Sequence, residues 1–173
     1  MVETGAQIPS LELKDLGKVV GELDDSSSTC MPLFVVMSSS SDMCRALEPV
    51  FLQMARLNQG PYNVWFFVHG RASSVAAAYP KLLSVARVFP FSSTWEGLAA
   101  LSIEKYPTAF LATRDNKVGE VVEGWDYGQW QDFLRRVGTY HPTWQLGVLP
   151  RKGLPQSGHV PVRSASVKSG AAS

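Results

Sequence analysis

The chain has 173 residues, enough for one domain with a real core, so no disulfide framework is needed for folding. A formal charge of +1 and 45% hydrophobic residues give no global signal for a nucleic-acid partner or a membrane surface. No stretch approaches the roughly 20 apolar residues of a membrane span. The N-terminus lacks the basic and apolar regions of a signal peptide, so the expectation is a cytoplasmic chain or a mature form whose leader has been removed.

Residues 1–31 read as a polar lead-in, with apolar pieces at Ile8, Leu11, Leu13, Val19 and Val20 that can add an edge strand or hairpin. The continuous apolar run 33–37 fits a central strand covered on both faces. From Asp42 the spacing turns helical, with Cys44, Leu47, Phe51 and Met54 on one stripe, and Asn58, Gln59, Gly60 and Pro61 end that helix. A second apolar strand occupies 64–68. Val75, Tyr79, Leu82, Leu83 and Ala86 recur at intervals of three and four and predict a helix over 73–88, which Pro80 kinks or splits.

Residues 88–91 read as short and extended, and 95–103 as a small helix. Residues 108–113 and 118–123, joined by a turn at 114–117, predict a hairpin. The last helix has Asp126 as N-cap and Gln129 in the capping-box position, a core stripe of Tyr127, Trp130, Leu134 and Val137, and Gly138 to close it. This order predicts an α/β domain over 1–140 with a central mixed β-sheet flanked by helices. A parallel pair comes from the opening β-α-β unit, and the hairpin adds antiparallel strands.

From about residue 140 the composition shifts. Residues 141–173 are rich in Pro, Gly and Ser and carry Arg151, Lys152, Arg163 and Lys168 with no acidic residue. Such a segment buries too little apolar surface to offset its ordering entropy, so a disordered basic tail is expected. It is either a solvated extension without a role or an electrostatic contact for an acidic partner or membrane surface.

Cys30 and Cys44 lie at opposite ends of the first strand, roughly 20 Å apart at about 3.3 Å per residue. A disulfide requires Cα atoms within about 7 Å, so the two do not pair in the folded monomer. Cys30 reads as a small packed residue at a strand start. His69, His141 and His159 show no metal-ligand spacing with each other or with the cysteines, and no cofactor motif is present.

Three local patterns resemble one known family. Cys44-Arg45-Ala46-Leu47-Glu48-Pro49-Val50-Phe51 is similar to the start of the active-site helix of thioredoxins, with its kinking proline. Tyr106-Pro107-Thr108-Ala109-Phe110-Leu111 resembles the cis-proline segment, and residues 115–124 resemble the hairpin that follows it. The lead-in 5–13 is similar to that of TlpA-like and peroxiredoxin-like members. Over 5–138 the chain therefore resembles the thioredoxin-like superfamily, in its TlpA-like thiol-disulfide oxidoreductase branch.

That resemblance implies a thioredoxin-like fold, a cis bond before Pro107, and a groove where the Tyr106 backbone pairs with an extended peptide. It also exposes departures. The family's Cys-x-x-Cys is here Ser41-Asp42-Met43-Cys44, its buried proton-transfer acid falls on Val35, and the peroxiredoxin Pro-x-x-x-Thr-x-x-Cys is missing. A serine hydroxyl has no redox couple, so dithiol exchange is not expected.

Ser41 is expected either to cap the helix, its Oγ accepting from the N–H of Met43 or Cys44, or to hydrogen-bond an incoming thiolate as in serine-type glutathione transferases. Cys44, at the resolving-cysteine position, is either packed or a lone nucleophile or sensor that forms mixed disulfides. Asp42 opposes a thiolate there, whereas Arg45 and the helix dipole favour one. The candidate site is thus Cys44 for chemistry and Ser41, Asp42, Met43, Tyr106 and Pro107 for binding, with no metal and no cofactor.

Three functions follow as expectations. One is a binding or assembly module working through the cis-proline groove on a protein or peptide partner. The second is a single-cysteine oxidoreductase or redox sensor whose partner bears a thiol. The third is an ordinary Cys-x-x-Cys enzyme in which Ser41 is a replacement.

Overall fold

The computed structural model describes residues 1–8, 31–56, 62–92, 96–140 and 149–162. The elements run β1 (Met31–Ser38), α1 (Asp42–Ala46), α2 (Glu48–Ala55), β2 (Tyr62–His69), α3 (Ala72–Ala78), α4 (Pro80–Leu83) and β3 (Arg87–Phe91). They continue with α5 (Glu96–Ala100), β4 (Lys105–Tyr106), β5 (Thr108–Ala112), β6 (Val118–Glu123), α6 (Tyr127–Gly138) and β7 (Val160–Pro161).

A five-stranded mixed sheet, ordered β3-β2-β1-β5-β6, forms the centre. Leu33 faces Val64 and Val68 faces Pro90 in the parallel pairs, while Phe34 faces Phe110 where β5 runs antiparallel to β1. β6 pairs antiparallel with β5 as the second arm of the expected hairpin. β1 lies in the middle, which is why 33–37 is apolar at every position and fully buried.

Both sheet faces carry aromatic layers. Phe34 packs on Trp65, Phe67 and Phe110, while Phe66 meets Phe51, which also contacts Tyr79 and Trp130. Burying each such ring stabilises the fold by about 1.5–3 kcal/mol.

The helix expected after Asp42 is two helices broken at Leu47. Pro49, at the second position of α2, donates no N–H and its ring crowds the carbonyl four residues back. The stripe survives the break, because Cys44, Leu47, Phe51 and Met54 are all fully buried. Pro80 likewise opens α4 after α3 stops at Ala78. The predicted helix does not reach residue 88, since Arg87 and Val88 pair with Trp65 and Phe66 at the sheet's end. Ladder pairing there overrides the helical periodicity.

α6 starts as its sequence indicates: Asp126 Oδ1 accepts the Gln129 N–H at 2.9 Å. Its buried stripe is Trp130, Phe133, Leu134 and Val137, with Tyr127 half-buried at the margin and Phe133 in addition to the expected set. The lead-in contributes an edge. The Ile8 N–H donates to Asn116 O, and the Val118 N–H to Ala6 O, both at 2.9 Å. Leu11, Leu13, Val19, Val20, Cys30, Trp95 and the helix-ending residues 58–61 lie outside the described residues.

Residues 149–162, read from composition as part of a disordered tail, lie against the domain. Leu149 is buried, the Tyr127 hydroxyl donates to its carbonyl at 2.8 Å, and Trp125 Nε1 donates to Pro155 O at 3.0 Å. The Arg151 guanidinium sits 5.0 Å from the Tyr127 ring centroid. Backbone pairing with residues already fixed in the domain offsets the ordering entropy, a contribution that composition does not register. Residues 141–148 and 163–173 lie outside the described set.

Candidate functional site

The site forms where β1 ends and α1 begins. Ser39 donates twice to His69 O, from N at 3.0 Å and from Oγ at 2.8 Å, while the Tyr79 hydroxyl donates to Ser38 O at 2.7 Å. Gly70 makes that closeness feasible. Its φ is +146°, and a Cβ on it would stand 2.2 Å from Ser39 Oγ. The serine-rich turn is therefore tied down by backbone acceptors.

Ser41 caps α1, accepting the Cys44 N–H at 3.1 Å, and is itself 7% exposed. Cys44 is 0% exposed. Burial pushes its thiol above the ordinary cysteine value, and hydrogen bonding with the Ser38 backbone and the Ser41 side chain offsets only part of that rise. Asp42 and Arg45 pair with each other on the outer face of α1, so the Arg45 cation is engaged by the neighbouring anion. Val35, where the resemblance implies a buried acid, is fully buried between Phe66 and Ala109.

On the facing loop, the Tyr106–Pro107 peptide bond is cis. The Gly124 N–H donates to Pro107 O at 2.8 Å, which joins this loop to the end of β6. The Tyr106 side chain is fully buried, with its ring centroid 6.0 Å from that of His69 and 6.5 Å from that of Phe91. Its hydroxyl has no partner among the described residues, and burial pushes its pKa up. Burial also lowers the pKa of His69, which stacks on Phe91 at 5.3 Å.

Among the expected binding residues, Met43 and Tyr106 meet on one feature: the C-terminal segment. Gly158 lies against Met43, since a Cβ on it would be 3.6 Å from Sδ, and Val160 pairs with Tyr106. Pro107 is buried beneath, Ser41 closes the helix end, and Asp42 is directed away toward Arg45. Sequence reasoning missed Gly124, Trp125, Gly158 and Val160. Among the described residues no group of three or more His, Cys, Asp or Glu is placed to hold a metal ion, and no helix is long and apolar enough to cross a membrane.

No protein-family model matches the chain, and no curated protein sequence matches it. Solved structures do. The thioredoxin domain of a thiol-disulfide oxidoreductase from Bacteroides vulgatus matches with a TM-score of 0.65 at 16% identity, covering 81% of this chain and 99% of that one. A secreted disulfide oxidoreductase of Mycobacterium tuberculosis, homologous to DsbE, gives 0.54 at 11% identity over 67% of this chain and 83% of its own. An uncharacterized conserved protein from Geobacillus kaustophilus gives 0.70 at 12% identity, with 94% of this chain and 92% of that chain covered. The chain has the thioredoxin-like α/β fold, and thiol-disulfide oxidoreductases, DsbE-like proteins included, are among its structural neighbours.

Proposed function

We propose that the chain is a TlpA-like thioredoxin-fold module that has lost dithiol chemistry and binds or assembles with a protein or peptide through the groove between Met43 and Tyr106. The observation that carries this reading is the Ser41–Cys44 pair. The hydroxyl at the attacking position accepts the helix's own amide hydrogen, and the thiol beneath it is fully buried. A hydroxyl stays protonated near neutral pH and cannot accept or release electrons, so the site keeps recognition surfaces without a redox couple.

Single-thiol chemistry requires an exposed, readily ionised cysteine, and burial of Cys44 weighs against it on both counts. The test is the pH dependence of Cys44 alkylation in the native protein, followed at that residue by peptide mass spectrometry. Slow modification at every pH up to 8 agrees with the binding module. Rapid modification titrating below about pH 7.5 would overturn it in favour of a one-thiol enzyme or sensor.

A further inference from the structure

Residues 155–162 cross the site as a segment whose course is fixed at three points. Gly158 exchanges both backbone hydrogen bonds with Trp125, at 2.8 and 2.6 Å. The same glycine lies on Met43. Val160 and Pro161 then pair antiparallel with Tyr106 and Lys105, and the Val162 N–H donates to Glu104 O at 3.0 Å. The segment thus occupies the backbone edge immediately before Pro107, where an extended peptide would have to pair.

Its hold is mainly backbone. Ser157, Gly158, His159 and Pro161 are exposed, and Leu154, Val160 and Val162 only half-buried. Removing it would uncover little of the core while leaving an unpaired strand edge, and such an edge accepts any extended chain that repeats the pairing. Side-chain room is nevertheless restricted at one point. Gly158 O lies 3.3 Å from where a Cβ on Gly124 would be, and Met43 Sδ closes the other side.

We propose that residues 155–162 form a strap, an intramolecular occupant of the groove that an extended partner segment displaces. The partner segment is uncharged, carries glycine or another small residue against Met43, and places a β-branched residue opposite Tyr106. The strap has this pattern in Gly158-His159-Val160. This inference rests on the groove being a peptide-binding site, as proposed above.

The experiment uses the full chain, its Gly158→Pro variant and its Val162→Pro variant. Each substitution removes a strap N–H that donates to the domain, and the two act at different points. The probe is a fluorescent synthetic peptide of residues 154–162, followed by anisotropy, with hydrogen exchange at the Trp125 amide read in parallel. In the wild type, the Trp125 amide is protected but exchanges faster than amides of β1, and the probe binds weakly. Both variants lose that protection and bind the probe at least about tenfold more tightly, because the competent open state is no longer a minor population.

Near-UV circular dichroism identifies a variant that retains the fold, and the wild-type exchange measurement needs no variant. A Trp125 amide that exchanges like a free peptide in the wild type overturns the strap. So does equal binding of the probe by wild type and variants, which leaves the groove reading standing. No binding by any of the three proteins removes the groove reading, and the strap with it. A concentration-dependent wild-type dimer that the variants lack would make the strap an exchanged strand between copies, and would also overturn the intramolecular form.

Discussion

Ser41 Oγ accepts the Cys44 amide hydrogen at 3.1 Å, at the position where the thioredoxin resemblance places an attacking thiol. The oxygen thereby satisfies one of the open N–H groups at the start of α1. Ser41→Ala should lower stability by about 1 kcal/mol, read as a shift in the urea midpoint. Ser41→Cys should restore a dithiol. After mild oxidation its intact mass should fall by the two hydrogens of a 41–44 disulfide, and an unchanged mass would contradict the placement of residue 41.

Cys44 is fully buried with its pKa raised by that burial. Its folded form therefore holds the proton at pH values where the unfolded thiol has lost it. Stability from this group is full below the unfolded value of about 8.5 and declines as pH rises above it. Cys44→Ala should flatten that decline between pH 8 and 10, measured as the difference in denaturant midpoint from wild type. Tyr79 and Tyr106, also raised by burial, add a loss from about pH 10 upward in both proteins.

Gly70 and Ser39 form a coupled pair. A Cβ at Gly70 would stand 2.2 Å from Ser39 Oγ, and the φ of +146° is itself unfavourable for a side chain. Gly70→Ala should cost about 1–3 kcal/mol. Ser39→Ala alone loses the Oγ bond to His69 O and keeps the backbone one, yet in the Gly70→Ala background it also removes the 2.2 Å approach. The double-mutant cycle should therefore give a favourable coupling of at least about 0.5 kcal/mol by chemical denaturation.

His69 has its pKa lowered by burial, so the folded state favours the neutral ring. Its stabilisation is complete above the unfolded value of about 6.5 and is lost as pH falls below it, because the unfolded chain binds the proton more readily. His69→Gln should reduce the slope of stability against pH between 6.5 and 5. An identical slope in the variant would assign the acid-side loss to other groups.

The strands were legible because burial on both faces leaves no polar positions. The runs at 33–37 and 64–68 read directly as β1 and β2, and Asp126 with Gln129 marked the start of α6. The break at Leu47 was less legible, since the apolar stripe passes through it unchanged. β4 and β7, each of two residues, carry no periodicity at all. Their pairing joins residues more than fifty positions apart, and no local pattern specifies such a partner. The contact of Met43 with Gly158 escaped for the same reason.

Sequence by itself determined the covalent possibilities at the site: a hydroxyl at Ser41, one thiol at Cys44, and Val35 where a carboxylate would serve. Those are properties of side-chain chemistry and hold in any conformation. Tertiary structure decided the rest. Whether Cys44 reaches solvent depends on the packing of α1 against the sheet, and whether the Tyr106 edge is open depends on the course of a distant segment. Composition marked 149–162 as too polar to order, yet hydrogen bonds to Trp125 and Glu104 hold it in place, because backbone groups pair regardless of the side chains they carry.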